Sequence, residues 1–313
     1  MRAARQSRAK NTATMRDFGV QQRSGKQVTE YGQRLEICEV GHRLYQRGYV
    51  VACEGNLSVR LDAERILLTP SGACKGDLTP QDLLVADLSG AVLSGAGRPS
   101  SEMQMHLLYY RSRPDVQAIC HAHPPTATGF AVAGRALEEA ILPEVAIALG
   151  KVPLAPYGTP GTWELCAGLE PLVSAHDAIL LQNHGVVTCG KNLKIAYYHM
   201  ETVEQCARVL LAAESLGRPR RLPRVEVQKL IAARSRYGFM DREDRVELHL
   251  PSESADGSFT PTRQEQESLC VEFLKKKTTC LEAEPGPPPM HRSRRAMDSK
   301  LSRTRLKRGI PAL

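Results

Sequence analysis

Apolar positions along the chain alternate between helical and strand spacing. Ile37, Val40 and Leu44 lie three and then four residues apart, which predicts a helix from Tyr31 that Gly48 can stop. Strands are expected over 56–61 and 65–69, joined across Asp62-Ala63-Glu64, and a hairpin over 83–88 and 91–93, split at Ser89-Gly90. Pro99-Ser100-Ser101-Glu102 opens a helix to about residue 110, with Ser101 and Gln104 at capping-box spacing. A strand over 118–123 follows, then a short helix over 125–132 with proline in its first turn and Gly134 at its end. Residues 145–149 are expected as a strand, and Thr162 caps a helix to about residue 174. The apolar run 178–182 is a buried strand that enters the turn Asn183-His184-Gly185 and continues over 186–189. The longest helix runs over 192–216, between Asn192 as cap and Gly217 as stop, and a last one covers 225–236. The pattern is that of one α/β domain; it leaves the direction of the strands open.

Composition and charge set the limits of that domain. The chain has 313 residues, 42% of them hydrophobic and 5% aromatic, so an aliphatic core is expected. No run of about 18 apolar residues is present to span a membrane, and the N-terminus lacks the apolar segment of a signal peptide. The nine cysteines are scattered with no Cys-x-x-Cys pair, which fits a reducing cytoplasm. The net charge of +8 would suggest nucleic acid, but residues 1–26 carry +6 and residues 288–313 carry +7, leaving about −5 between them. The basicity belongs to the ends, which also lack the aromatic interleaving of a nucleic-acid surface. The N-terminal end is Arg-rich and acid-poor, as transit peptides are, without their amphipathic face. The expected organisation is a disordered basic extension over 1–28, a folded domain over 29–245 and a disordered basic tail over 246–313, which includes Pro285-Gly286-Pro287-Pro288-Pro289.

Candidate chemistry sits at the strand ends. In a strand over 118–123, Ile119, His121 and His123 share one face, and the small residues Ala118, Cys120 and Ala122 share the other. Two imidazoles on one face just before Pro124-Pro125 can chelate zinc, copper, iron or nickel; they are equally the pattern of surface histidines near a turn. His184, at the mouth of a second buried strand, is the third candidate. Three imidazoles with an open fourth position make a catalytic rather than a structural zinc site. Glu102 is the candidate acid/base; a carboxylate at a helix start is also favoured by the macrodipole alone. Ser100 and Ser101 beside it offer hydroxyls at a helix N-terminus suited to an anion. The turns Gly55-Asn56 and Ser71-Gly72 can complete a phosphate cradle, and each alone is an ordinary turn.

Five motifs then occur together in order: Glu54-Gly55-Asn56-Leu57-Ser58-Val59-Arg60, Leu68-Thr69-Pro70-Ser71-Gly72, Pro99-Ser100-Ser101-Glu102, His121-Ala122-His123-Pro124 and Gln182-Asn183-His184-Gly185. In this the chain resembles the class II aldolase/adducin family over about residues 29–240, most closely its L-fuculose-phosphate aldolase branch. The resemblance implies a three-layer α/β/α fold around a largely antiparallel sheet. It also implies a four-fold homotetramer with active sites between subunits. It implies zinc, or another divalent metal, held by His121, His123 and His184, and proton transfer by Glu102. Gly55, Asn56, Ser71, Gly72, Ser100 and Ser101 would bind the substrate phosphate. The implied reaction is cleavage of a ketose 1-phosphate to dihydroxyacetone phosphate and a short hydroxyaldehyde such as lactaldehyde.

The sequence also departs from that branch. A tyrosine expected downstream of the second metal histidine is absent from Ala140-Ile141-Leu142-Pro143-Glu144, and Tyr237 is the nearest counterpart of the C-terminal tyrosine. A sugar-phosphate 4-epimerase or dehydratase on the same scaffold is an alternative, although the epimerase branch tends to have Asp where Glu102 stands. An adducin-like interaction module is the non-catalytic alternative, but such modules typically lose the three histidines retained here.

Overall fold

The computed structural model describes residues 29–237; the expected tails over 1–28 and 246–313 lie outside the described residues. Thr29 caps α1 (Glu30–Gln46) by accepting the Gly32 N–H, and Ile37, Val40 and Leu44 form its buried stripe as the spacing predicts. Then come β1 (Asn56–Arg60), β2 (Arg65–Leu68), β3 (Leu84–Asp87) and β4 (Val92–Ser94). Asp62 and Asp87 close the two hairpin turns by accepting backbone N–H groups of the residues that follow. The chain continues through α2 (Met103–Ser112), β5 (Ala118–Ala122), α3 (Pro125–Val132), α4 (Pro143–Ala148), β6 (Leu154–Ala155) and α5 (Trp163–Val173). The described residues end with β7 (Ala178–Leu181), β8 (Gly185–Gly190), α6 (Leu193–Leu216), α7 (Arg224–Ala232) and a 3₁₀ turn over Arg234–Tyr237.

The eight strands form one sheet in the order β4-β3-β2-β1-β5-β8-β7-β6, antiparallel throughout except for β6 beside β7. This is the expected α/β/α arrangement. Ala118, Cys120 and Ala122 of β5 pack on the face covered by α1, α3 and α6, with Leu44, Phe130, Met200 and Val203. Ile119 packs on the opposite face, covered by α2 and α5, with Leu107, Leu165 and Leu169. Both faces of β5 are therefore dry, and the alternation inferred from sequence separates two half-cores.

One assignment is corrected. Residues 145–149 are not a strand; 145–148 belong to α4, with Pro143 at its first position and Glu144 in its first turn, and Leu149 is its C-cap. The run Val145-Ala146-Ile147-Ala148 is too short for periodicity to separate strand from helix, and the proline was the deciding helix-start signal. The two-residue β6 is invisible to any pattern, because its strand geometry comes only from pairing with β7.

One buried contact ties α6 to the end of β5. Glu204 is 0% exposed, accepts the Thr126 and Ala127 N–H groups at the start of α3, and pairs with Arg208. It holds the Pro124-Pro125 segment directly after His123. Glu204→Ala leaves those two N–H groups unpaired and is expected to cost on the order of 2–4 kcal/mol of unfolding free energy, read from urea denaturation.

Candidate metal centre and active site

The site lies where β5, β1, the β7–β8 turn and the start of α2 meet. Asn56 of β1 is the cross-strand partner of His121 on β5. His123 follows at the strand end, fixed by donation of its N–H to the Tyr49 carbonyl at 2.8 Å. The β7–β8 turn carries His184, and Asn183 before it adopts φ 55°, a left-handed conformation that Asn tolerates. Gly185 is required by its neighbour: a Cβ there would stand 2.4 Å from His123 Cδ2 and 2.7 Å from the Ala122 carbonyl. Gly55, at φ 69°, is equally constrained, since its Cβ would fall 2.7 Å from the His121 carbonyl.

The three rings face one another edge to face, with centroids 4.8–5.0 Å apart. One ligating atom from each imidazole lies within 4.8 Å of the others. The Nε2 atoms of His121 and His123 are 3.2 Å apart. Zinc at Zn–N of about 2.0–2.1 Å in a tetrahedron needs roughly 3.3 Å between ligands, so this pair already has the spacing of a chelate. His121 Nδ1 donates to the Val186 carbonyl at 2.9 Å, which leaves the Nε2 lone pair facing the centre. His123 Nδ1 lies 3.4 Å from Glu54 Oε2, the carboxylate–imidazole arrangement that orients a ligand from behind. His184 Nδ1 is buried without a hydrogen-bond partner among the described residues, and Glu102 Oε1 is met by His184 Nε2. The donor set and its spacing fit a divalent cation.

Glu102 is 8% exposed and lies over the imidazoles, with Oε2 3.2 Å from His121 Nε2 and Oε1 3.0 Å from His184 Nε2. Burial pushes its carboxyl up, but His121 and His184 outweigh burial and hold it well below the usual carboxylate range. Burial likewise pushes His121 down, and Glu102 with the Val186 carbonyl raises it on balance. His123 is pushed down to about 3 by burial, then by His121 and His184, so it presents a free lone pair at neutral pH.

Glu102 occupies the N-cap position of α2 rather than its first turn, and its side chain makes no capping bond. The expected Ser101–Gln104 capping box is not formed; instead Ser100 Oγ accepts the Glu102 N–H at 3.3 Å. The carboxylate is thereby left for the site. Asn56 Nδ2 reaches Glu102 Oε2 at 2.8 Å and Ser100 Oγ at 3.1 Å. Ser71 donates its N–H to the Arg98 carbonyl, and Pro70 bridges Pro99, so the Ser71-Gly72 turn lies beside the Ser100 segment. Gly55, Asn56, Ser100, Glu102 and the three histidines are joined by direct contacts, while Ser71, Gly72 and Ser101 are exposed and tied in through the backbone.

Four polar residues of the site escaped the sequence reading. Glu54 stands inside a quoted motif without a role assigned. Lys75, 1% exposed, donates to the Cys53 and Ala73 carbonyls and so pins the loop before Gly55 to the one after Gly72. Its spacing from Ser71-Gly72 was the available signal. His106, one helical turn after Glu102, and Ser58, two strand residues after Asn56, are fully interior polar groups that share a face with the residues singled out.

The fold and the site together define a metal-dependent lyase of the α/β/α type. The family model described as Class II Aldolase and Adducin N-terminal domain matches residues 35–211, and the chain belongs to that family. It is 39% identical over 186 residues to a 3-oxo-tetronate 4-phosphate decarboxylase of Pectobacterium atrosepticum, covering 58% of this chain and 85% of that protein. It is 35% identical to a 5-deoxy-D-ribulose 1-phosphate aldolase of Bacillus thuringiensis, covering 66% and 97% of the two chains. A solved L-fuculose 1-phosphate aldolase matches with a TM-score of 0.62 at 32% identity, over 69% of this chain and 100% of that one. No helix among the described residues is long and apolar enough to cross a membrane.

Gly185→Ala is expected to displace His123 and lower bound metal at least as far as it lowers stability, since overpacking of this kind costs about 1–3 kcal/mol; His121→Ala/His123→Ala should empty the site outright. Metal content by elemental analysis after dialysis, beside the thermal midpoint, checks both. A second expectation concerns acid. His106 is pushed down to about 3 by burial, from an ordinary 6.5. Between those values the unfolded chain binds a proton that native His106 refuses, so this contribution to stability is present above pH 6.5 and is lost as pH falls toward 3. The metal-free protein should unfold at steadily lower temperature over that range, and His106→Gln should flatten the slope.

Proposed function

We propose that the protein cleaves a carbon–carbon bond next to the carbonyl of a phosphorylated sugar, as a retro-aldolase acting on a ketose 1-phosphate. The observation that carries this reading is the ionised Glu102 set between two of the three imidazoles, His121 and His184, and two phosphate-type donors, Asn56 and Ser100. His121, His123 and His184 would hold a divalent cation, which would supply Lewis acidity at the ketose carbonyl. Zinc is the cation that a three-imidazole set with an open position suits best.

The chain's own residues account for binding and the proton. Asn56, Ser100 and Ser101, the Ser71 hydroxyl and the backbone N–H groups of Gly55 and Gly72 hold the phosphate, which places the reacting carbons by contacts remote from the breaking bond. When the C3–C4 bond breaks, its electron pair goes to C3 and is delocalised into the C2 carbonyl, while C4 leaves as an aldehyde after its hydroxyl loses a proton. That proton goes to water on the C4 side; Glu102 takes the C3 hydroxyl proton and returns it to C3, and water reprotonates the C3 oxygen, which completes dihydroxyacetone phosphate. The relatives named as sugar-phosphate aldolases support the same reading. The seven free cysteines among the described residues agree with a reducing cytoplasm. A four-fold homotetramer belongs to this reading and is checked by light scattering.

A second reading is decarboxylation of a phosphorylated 3-oxo acid. The relative at 39% identity bears that activity in its name. The segment Ala140-Ile141-Leu142-Pro143-Glu144 also lacks the tyrosine an aldolase of this type places there. Loss of carbon dioxide puts the same charge next to the same carbonyl and releases no aldehyde, so it needs no proton acceptor at C4.

Glu102→Gln is expected to lower turnover by about 10²–10⁴ while leaving phosphate affinity nearly unchanged; a purely structural Glu102 would leave turnover intact. Product analysis of the metal-loaded protein separates the readings. Dihydroxyacetone phosphate with free aldehyde supports the aldolase, carbon dioxide the decarboxylase, and a C4 epimer without free aldehyde refutes both.

A further inference from the structure

We propose that His106 is a positioning residue: it sets the amide orientation of Asn56, and so decides that a donor rather than an acceptor faces Glu102. The consequence for turnover rests on the proton-transfer reading of Glu102; the orientation itself does not. Five buried side chains form one line. Tyr110 Oη lies 2.8 Å from Ser58 Oγ, which lies 2.6 Å from His106 Nδ1. His106 Nε2 contacts Asn56 Oδ1, and Asn56 Nδ2 reaches Glu102 Oε2 at 2.8 Å. Each hydroxyl and ring nitrogen could act as donor or acceptor, so two polarities are open in principle.

Both ends of the line select the same one. At the Glu102 end, one atom of the Asn56 amide stands within 3.1 Å of two oxygens, Glu102 Oε2 and Ser100 Oγ. An NH₂ group has two hydrogens for two oxygens; an amide oxygen there would be repelled by the carboxylate. At the far end, Ser58 is the one hydrogen-bond partner of the Tyr110 hydroxyl among the described residues, and Tyr110 is 2% exposed. Were Ser58 to donate to Tyr110, the phenolic hydrogen would be buried without an acceptor, which costs about 1–3 kcal/mol. Tyr110 therefore donates to Ser58, and Ser58 donates to His106 Nδ1. His106 donates from Nε2 to Asn56 Oδ1, and Asn56 donates to Glu102.

His106 is the hinge of this order, because its tautomer couples the two halves. With the proton on Nδ1, the ring could no longer donate to Asn56, and the amide would lose what holds its oxygen away from the carboxylate. The strongly depressed basicity of the ring keeps it neutral, so it donates at one nitrogen and accepts at the other.

Nitrogen-15 spectra of the full-length, metal-loaded protein read the tautomer directly, without substrate. The His106 ring should show a protonated Nε2 and a bare Nδ1 throughout neutral pH. A protonated Nδ1, or a doubly protonated ring, would overturn the proposal whether or not any variant folds. Kinetics supply the second arm. His106→Leu removes the donor, whereas the amide of His106→Gln can still donate to Asn56 Oδ1. His106→Leu should lower kcat by about 10–100-fold with metal content little changed, and His106→Gln should restore most of kcat. Equal losses in both, or a loss that follows the thermal midpoint alone, would mean a packing role and sink the inference. A wild-type protein inactive on every sugar phosphate would refute the functional reading and leave the tautomer result to decide this one.

Discussion

A buried carboxylate that is not capped by its own helix is the constraint around which this site is built. Glu102 stands at the N-cap position of α2 with 8% exposure, and its backbone N–H is taken by Ser100. Burial of an anion costs several kcal/mol unless positive charge or donors surround it. His121, His184 and Asn56 meet that cost, and each comes from a different element. The pairing of β1 with β5 puts Asn56 beside His121, and the left-handed turn at Asn183 swings His184 in from the far side of β8. The antiparallel sheet is thus the device that collects these groups at one edge of its central strands.

Close backbone approach is the second condition. Gly55 and Gly185 lie on either side of the His121-Ala122-His123 segment, and at both a methyl group would meet a carbonyl oxygen at 2.7 Å. Two neighbouring chains therefore press on β5 where its histidines emerge. That pressure fixes the imidazoles more firmly than side-chain packing could, because the groups in contact are backbone. A preformed donor set loses little freedom when a cation enters, so the rigidity contributes to metal affinity.

Most of the fold was legible in sequence because the chain is locally consistent: Thr162 and Asn192 cap the helices they precede, and the alternation across 118–123 correctly divides the two cores. The histidine cluster was legible because His-x-His on a strand end with a third histidine after an apolar run points to a group that could hold a metal ion. What stayed hidden depends on tertiary contact. Residues 145–149 form a helix where a short apolar run fits either state. His106 sits in Met103-Gln104-Met105-His106-Leu107-Leu108-Tyr109-Tyr110, where it reads as one polar interruption of an apolar helix. Lys75 reads as a solvated turn residue, and only the folded chain shows its ammonium pinned between two carbonyls.

The two reactions considered for this site differ less than their names suggest, and the difference falls where the chain departs from its aldolase relatives. Both leave an electron pair next to a polarised carbonyl, and both need the same phosphate anchor and the same imidazoles. An aldol cleavage must also remove a proton from the oxygen of the departing carbon. In the proposed reading Glu102 serves the C3 side of the bond, and its contacts with Asn56, His121 and His184 hold it in place. Within the described residues, the segment in which the aldolase branch keeps its tyrosine is instead the start of α4, with Pro143 and Glu144. The choice between aldehyde and carbon dioxide as leaving group therefore turns on whether a further acceptor reaches the C4 side, and the groups around Glu102 are neutral between the two.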